Sequence, residues 1–233
     1  MARAGVASRR HAETMIAAGR VKVNGTVARV GQGIDPTVDH VTLDGRDIPL
    51  GEREETWIVF HKPARVMTTR SDPQGRATVF DYVEDAPGLT YVGRLDFDTE
   101  GVLLLTTDGD AVHRLTHPSN RVKRVYAATV VGDAPAAAAR AKEGVVLPDG
   151  PVLPLHVAVR PMPRGRWEFE VVIAEGRKRE VRRLCKALKL AVERLVRTEF
   201  GPVKLGELAP GASRPLTPEE REALAPLVAR GDP

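Results

Sequence analysis

The residues most able to do chemistry lie in an acidic segment that runs directly into an apolar strand. Residues 93–109 read Gly-Arg-Leu-Asp-Phe-Asp-Thr-Glu-Gly-Val-Leu-Leu-Leu-Thr-Thr-Asp-Gly. A carboxylate on a loop that enters a buried strand is partly desolvated, so it needs a basic partner to stay ionised. Asp96 is the candidate carboxylate. Because Asp and Gly also form ordinary turns, the pattern alone leaves a simple turn as the alternative.

A basic segment later in the chain is complementary in charge to this acidic one. Residues 176–197 contain nine basic and two acidic side chains, whereas residues 94–110 contain one basic and five acidic ones. The whole chain of 233 residues has 35 basic and 31 acidic side chains, and its sequence pI is about 9.4. This balance favours a polyanionic partner. The alternative for the basic segment is a solvated helix face.

Apolar runs separated by Pro and Gly predict the elements that position these segments. Strands are expected at residues 57–60, 102–105, 125–131, 152–159, 167–173 and 192–197, and helices at 78–83, 111–115, 135–143, 178–188 and 218–228. Because these elements lack a regular alternation of strand and helix, the predicted fold class is α+β, with a mixed or antiparallel sheet flanked by helices. The charged stretch 44–55 lacks apolar periodicity and is interpreted as the connection between two domains.

The first fifty residues predict a small basic module. Ser8 can cap a helix that presents Arg9 and Arg10, and Gly19 is placed to end that helix. Asn-Gly at positions 24 and 25, between alternating apolar residues, predicts a tight hairpin. A basic helix edge of this kind can follow RNA phosphates. A solvated amphipathic helix is the alternative.

Several other classes of protein are disfavoured. A single cysteine, Cys185, excludes an internal disulfide and a cysteine zinc cluster and suits a reducing compartment. His113 and His117 lack the companions of a zinc motif, so no metal is expected. Asp96 and Asp98 adjoin too closely in sequence for the two carboxylates of a glycosidase. No apolar run reaches membrane-spanning length, and the N-terminus lacks a signal core, so we expect a cytoplasmic protein.

The N-terminal module resembles a known RNA-binding domain. Ala4-Gly5-Val6-Ala7-Ser8-Arg9-Arg10, followed by Ile16-x-x-Gly19-Arg20-Val21-x-x-Asn24-Gly25, is similar to the domain first described in ribosomal protein S4. Such domains usually begin with several further helical residues. We therefore expect either a shortened first helix that binds RNA more weakly or a true start codon upstream.

The rest of the chain resembles the RsuA/RluB branch of the pseudouridine synthases. Gly-Arg-Leu-Asp-x-x-Thr-x-Gly-Val-Leu-Leu-Leu-Thr-x-Asp-Gly is similar to the central motif of that family, whose catalytic aspartate falls at Asp96. Further motifs agree in order and spacing: His61-Lys62-Pro63, residues 69–81, His113 to Ser119 with Arg124-Val125-Tyr126, Glu175 to Leu184, and Leu195-Val196-Arg197 with Gly201-Pro202. One departure is Arg65, where relatives of this type commonly have glycine; the loop then approaches RNA differently, or its arginine adds a phosphate contact.

The resemblance implies an enzyme that isomerises uridine to pseudouridine in ribosomal RNA. The glycosidic bond breaks, the uracil turns, and C5 joins the ribose, so no cofactor is expected. Asp96 would act as nucleophile at the anomeric carbon or as base at the neighbouring ribose carbon. Tyr126 would stack on the uracil and help to remove the C5 proton, with a half-buried strand tyrosine as the alternative. Arg182 would pair with Asp96 and keep it ionised.

The remaining predictions concern contacts and partners. Predicted substrate-binding residues are Lys62, Arg94, Leu95, Arg179 and Leu195. Predicted RNA-binding residues are Ser8, Arg9, Arg10, Arg20, Lys22, Lys123, Arg124, Lys178 and Arg183. The expected domains are an S4-like module at 1–48, a linker at 49–55 and a catalytic domain at 56–233. The expected partner of a monomeric chain is large-subunit ribosomal RNA, because the motifs most resemble the RluB type. Small-subunit RNA, or a noncatalytic role in ribosome assembly, is the alternative.

Overall fold

The computed structural model describes residues 1–2, 4–51 and 55–229, and the chain forms two compact units. The first contains residues 1–57 together with two short returns of the chain, 85–90 and 105–109. The second contains residues 58–84, 91–104 and 110 onward. The linker at 49–55 stays a prediction, and its residues 52–54 lie outside the described part. No helix of the described residues is long and apolar enough to cross a membrane.

The first unit begins with a capped helix and a tight hairpin. Helix α1 (Arg9–Ala17) starts after Ser8, whose side chain accepts a hydrogen bond from the His11 amide at 3.3 Å. The helix is followed by Gly19, in the left-handed conformation with φ 70°. Strands β1 (Val21–Val23) and β2 (Thr26–Val27) pair antiparallel. The predicted cap, helix end and hairpin are confirmed.

A second hairpin completes this small sheet. Strands β3 (Val41–Leu43) and β4 (Arg46–Asp47) flank a turn at Asp44 and Gly45, and the sheet order is β2-β1-β3-β4. The interpretation of residues 44–47 as part of a connection is therefore wrong. Asp44 and Gly45 have φ of 50° and 79°, which Asp-Gly adopts readily in a two-residue hairpin.

The larger sheet is mixed and has nine strands within the part of the chain that the structure describes. The elements that follow β4 are β5 (Trp57–Lys62), β6 (Thr90–Tyr91), β7 (Glu100–Thr106), α2 (Gly109–Thr116), β8 (Arg124–Val131), α3 (Ala134–Glu143), β9 (Val145–Leu147), β10 (Gly150–Val152), β11 (His156–Met162), β12 (Arg166–Ile173), α4 (Glu180–Ala187), β13 (Ala191–Phe200), β14 (Val203–Lys204), β15 (Ser213–Pro215) and α5 (Pro218–Val228). The order of the larger sheet is β11-β12-β8-β13-β7-β5-β15, with β14 on β13 and β6 on β7, while β9 and β10 pair with each other in a separate two-stranded sheet. The pairing of β7 with β13 is parallel, while β8 is antiparallel to both β12 and β13. The predicted α+β class is confirmed.

Two predicted elements differ in extent. The single strand expected at 152–159 is divided into β10 and β11, with Pro154 between them, because proline has no amide hydrogen to donate to a ladder. The helix expected at 78–83 is one turn of 3₁₀ helix, Val79–Asp81. The apolar core is densest along β7, where Val102 to Leu105 have no exposed surface.

Candidate active site

The loop between β6 and β7, residues 93–99, is held through its main chain; we call it the acidic loop. Its five consecutive carbonyl oxygens from Leu95 to Thr99 all accept hydrogen bonds. One bond is internal, from the Thr99 amide to the Asp96 oxygen at 3.0 Å. The others come from residues outside the loop. Hydrogen bonds to five successive carbonyl groups fix the path of a segment that has no regular secondary structure.

Lys62 lies beneath the acidic loop and has no exposed surface. Its ammonium donates to the carbonyl oxygens of Pro63 at 2.8 Å, Phe97 at 3.3 Å and Thr99 at 2.8 Å. Burial lowers the pKa of Lys62 to about 8, against the opposing attraction of Asp96 and other nearby carboxylates. This placement corrects the predicted substrate contact of Lys62, because a fully buried side chain supports the loop from below.

Three further residues complete the hold on the acidic loop. The buried hydroxyl of Thr68 donates to the Leu95 oxygen at 2.9 Å, and the main-chain amide of Arg65 donates to the Phe97 oxygen at 2.7 Å. Arg182 of α4 reaches the loop from 84 residues away and donates through Nη2 to the Asp98 oxygen at 2.7 Å. Thr68 was missed by sequence reasoning, because a threonine hydroxyl carries no distinctive spacing signal.

The predicted ion pair between Arg182 and Asp96 is wrong, because Arg182 binds a different acceptor in the same loop. The guanidinium binds a main-chain oxygen two residues after Asp96, and no ion pair or hydrogen bond to the Asp96 carboxylate occurs among the described residues. The Asp96 side chain is partly exposed, next to the buried Leu95. The loop is therefore held by its backbone while its carboxylate is left available to a ligand. Nε of Arg182 is buried and has no partner in the described part of the chain.

The acidic loop is joined to the sheet at Glu100 and Gly101. Gly101 pairs with Arg197 of β13 so closely that an added Cβ would overlap the Arg197 carbonyl oxygen. Arg194 holds Glu100 in a two-bond ion pair with both distances 2.9 Å, which lowers the pKa of that carboxyl. The exit of the loop is thus fixed against β13.

Tyr126 lies on the same register line of the sheet. It pairs with Arg197, which in turn pairs with Gly101 across the parallel ladder. Two strand spacings of about 4.8 Å put the Tyr126 backbone roughly 10 Å from that of Gly101. Tyr126 is 9% exposed. The third predicted catalytic residue is therefore close in the sheet to the end of the acidic loop.

The segment 69–81 packs beside the acidic loop. Arg76 and Asp72 form a two-bond ion pair at 3.0 and 2.7 Å, which lowers the pKa of Asp72 to about 2. The Arg76 guanidinium lies 5.7 Å from the centre of the Phe97 ring. Arg70 lies 4.0 Å from the centre of the Phe80 ring. The segment whose sequence resembles a family motif is thus in contact with the loop that carries Asp96.

The predicted RNA and substrate contacts include residues that are exposed and residues that are buried or already paired. Exposed ones are Ser8, Arg9, Arg10, Arg20, Lys22, Arg94, Lys123, Lys178 and Arg179. Of these, Arg20 makes an ion pair with Asp44. Leu95 and Leu195 are buried, so their side chains present little surface to a substrate.

One predicted RNA contact, Arg124, is corrected by its surroundings, and another, Arg183, is held in an ion pair and stays a prediction. Arg124 is 6% exposed and donates to the Val122 oxygen at 3.1 Å, so its guanidinium is not placed to meet a phosphate. Arg183 is bound by both carboxylate oxygens of Asp149, at 2.6 and 2.7 Å. Both belong to runs of basic residues, in which sequence alone does not separate the buried or paired members from the exposed ones.

The described residues contain no group of three or more His, Cys, Asp or Glu side chains arranged to hold a metal ion. Cys185 is fully buried in α4, and burial raises the pKa of its thiol to about 12. Because the thiolate is the reactive form of cysteine, this residue is a small apolar part of the core.

With this geometry established, comparison with known proteins gives the family. A model of the RNA pseudouridylate synthase family matches residues 56–187, and an S4 domain model matches residues 1–38. The chain belongs to the RNA pseudouridine synthases and is an enzyme that isomerises uridine in RNA.

Individual relatives agree with this assignment. An uncharacterized RNA pseudouridine synthase of Mycobacterium tuberculosis is 42% identical over 226 residues, covering 94% of this chain and 89% of that one. Ribosomal large subunit pseudouridine synthase B of Pseudomonas aeruginosa is 42% identical over 237 residues, covering 98% of this chain and 61% of that one. A crystal structure of a pseudouridylate synthase superposes with a TM-score of 0.63 at 29% identity, covering 93% of this chain and 94% of that one.

Proposed function

We propose that this enzyme converts a particular uridine of large-subunit ribosomal RNA to pseudouridine, with Asp96 as the catalytic residue. The observation that carries the proposal is the held acidic loop, in which every carbonyl oxygen from Leu95 to Thr99 accepts a hydrogen bond and the carboxylate of Asp96 is left without a partner among the described residues. The large-subunit target is supported by the name of the relatives in Pseudomonas aeruginosa and Haemophilus influenzae.

Asp96 then acts on the ribose in one of two ways. As a nucleophile it attacks the anomeric carbon, forming an ester to the sugar while the glycosidic bond electrons leave with the uracil. As a base it takes a proton from the neighbouring ribose carbon, and the same bond breaks by elimination. In the first route C5 of the turned uracil displaces the Asp96 ester from the anomeric carbon; in the second, C5 bonds to the anomeric carbon of the unsaturated sugar and Asp96 returns the proton to the neighbouring ribose carbon. In both routes C5 then loses its proton and N1 gains one, so atoms and electrons balance without a cofactor.

The surrounding side chains serve this chemistry through position and charge. Lys62 places a positive charge beneath Asp96 and attracts its carboxylate. Arg182 fixes the neighbouring carbonyl and retains an unbonded donor at Nε within the described part of the chain. Tyr126, two strands from Gly101 on the same register line, is the proposed acceptor for the C5 proton and the surface on which the base stacks. The buried Leu95, Leu103 and Leu195 exclude water that would otherwise trap the detached sugar.

The exposed basic residues are proposed to hold the RNA. Arg9 and Arg10 lie on α1 of the unit that matches the S4 domain model, and Lys178 and Arg179 precede α4. Phosphate contacts from such residues offset the cost of a few kcal/mol for extruding the target base from folded RNA. A monomeric state and a cytoplasmic location also belong to the proposal and are tested by light scattering and cell fractionation.

The test compares two aspartates of the same loop. Asp96→Asn abolishes release of tritium from rRNA labelled at uridine C5 and retains RNA binding, whereas Asp98→Asn, the matched control, keeps turnover within a few-fold of the wild type. Mapping pseudouridines across both ribosomal RNAs, in cells with and without the gene, identifies the target. Unchanged turnover in Asp96→Asn refutes the catalytic assignment, and loss of a small-subunit pseudouridine refutes the large-subunit target.

A further inference from the structure

Arg65 occupies a strained backbone position directly beside the acidic loop. Its φ is 64°, in the left-handed region that favours glycine, and its side chain is exposed. The conformation is tied to the loop, because the Arg65 amide donates to the Phe97 oxygen at 2.7 Å. Phe97 follows Asp96 directly. The side chain of Arg65 therefore projects into solvent from a point fixed relative to the proposed catalytic carboxylate.

The left-handed positions that are not glycine are mostly cationic in the described part of the chain. Two of the seven, Asn24 and Asp44, lie in hairpin turns, where such residues are tolerated. The other five are Arg65, Arg121, Arg164, Arg179 and Lys189. All five are exposed, and their side chains have no hydrogen-bond or ion-pair partner among the described residues.

These observations separate the backbone role of Arg65 from the role of its side chain. A glycine would donate the same amide bond to Phe97 with less backbone strain. The arginine is nevertheless present, its guanidinium makes no bond to the described residues, and five donors in a planar fork suit a phosphate. The side chain is thus available to an anion outside the protein, next to the acidic loop.

We propose that Arg65 binds a phosphate of the RNA strand that carries the target uridine, beside the residue on which Asp96 acts. The inference rests on the proposed function, since it assumes that the uridine enters at Asp96. Arg65 then acts in substrate binding and leaves the chemical step unaltered. Its loss raises KM and leaves kcat within about twofold.

The test uses the full chain with Arg65→Gly, which removes the charge and the strain, and Arg65→Lys, which keeps the charge. Affinity falls as salt rises, and the loss of one phosphate contact makes this dependence of log affinity on log salt shallower by about 0.9. Near 0.15 M salt the same loss weakens binding about fivefold. We expect this loss for an rRNA fragment with Arg65→Gly, a matching rise in KM, and a slope close to the wild type with Arg65→Lys. Thermal unfolding checks that both variants are folded.

Arg164→Gly is the matched control, because Arg164 is also exposed and left-handed but lies in the turn between β11 and β12. An unchanged salt slope in Arg65→Gly overturns the inference, as does an equal loss in both glycine variants, which would show non-specific charge. A fall in kcat at saturating RNA also overturns it, because the residue would then position the loop. Absence of turnover in the wild-type enzyme, by contrast, refutes the proposed function itself.

Discussion

Substitution of Gly101 by alanine tests how closely the acidic loop is bound to the sheet. Gly101 has φ of 112°, and an added Cβ would lie 2.6 and 2.8 Å from the N and C atoms of Arg197 and closer still to its carbonyl oxygen. These contacts are to backbone atoms of β13, which cannot rotate away. Alanine therefore separates β7 from β13 or distorts both strands.

The expected cost has two parts. Holding an alanine at this φ costs about 1–3 kcal/mol, and overpacking costs about 1–3 kcal/mol more. The total of about 2–6 kcal/mol is a large fraction of a typical stability of about 5–15 kcal/mol. With a urea dependence of about 3 kcal/mol per molar, the unfolding midpoint falls by about 0.7–2 M. Uridine turnover falls as well, because the acidic loop ends at this pair of strands.

The control is Gly75→Ala, because Gly75 has φ of 67° and an added Cβ there would meet nothing within 4 Å. This variant carries the backbone cost of a left-handed alanine, about 1–2 kcal/mol, and no clash. Urea unfolding followed by circular dichroism compares the two variants with the wild type. Equal midpoints for Gly101→Ala and Gly75→Ala would refute the reasoning, since the close approach to Arg197 would then contribute nothing.

Three further predictions concern the hydroxyl of Thr68, the buried ammonium of Lys62 and the two arginines at the start of α1. Thr68→Val leaves the Leu95 carbonyl without its hydroxyl donor, so we expect stability to fall by about 1–3 kcal/mol and kcat to fall as well. Thr68→Ser keeps the hydroxyl and largely restores both. Urea unfolding measures the stability, and a turnover assay measures kcat. The pKa of Lys62 is about 8 when folded and 10.5 when unfolded, so the folded state loses its proton first and the free energy of unfolding rises by about 3 kcal/mol across that range. Unfolding measured at pH 7 and pH 10 captures about 2.5 kcal/mol of this rise, which Lys62→Met lacks; the same rise in Lys62→Met would contradict the assignment. Arg9→Ala with Arg10→Ala lowers the salt slope of RNA binding by up to about 1.8 and leaves the unfolding temperature unchanged, because both side chains are exposed; an unaltered slope contradicts a role in RNA binding.

Local signals were sufficient for the parts of the fold that local forces decide. The Ser8 cap, the end of α1 at Gly19 and the Asn24-Gly25 hairpin all follow from side-chain capping and from residues that tolerate positive φ. The same rule, applied to Asp44 and Gly45, predicts the hairpin that a charge-based interpretation assigned to a connection. That error came from weighting charge above turn chemistry.

The charged segments that form the site were predictable from the sequence, whereas the oxygen atoms that its cationic side chains bind were not. Opposite net charges on residues 94–110 and 176–197 indicate that the two segments meet, and Arg182 does contact the acidic loop. A guanidinium or ammonium binds a carboxylate or a carbonyl oxygen with similar geometry, so sequence does not distinguish the two. Lys62 and Arg182 both bind carbonyl oxygens, and the carboxylate of Asp96 stays without a protein partner in the described structure.

The sequence by itself determined the chemistry that is available: one acidic loop before an apolar strand, basic segments around it, and a capped basic helix at the start. Tertiary structure alone decided which cations are bound to the backbone and which remain exposed, as the difference between Arg124 and Arg65 shows. The physical reason is that burial and hydrogen-bond partners depend on strand register and on contacts between residues far apart in sequence. The type and spacing of side chains do not predict, for an individual residue, which of these long-range contacts it will make.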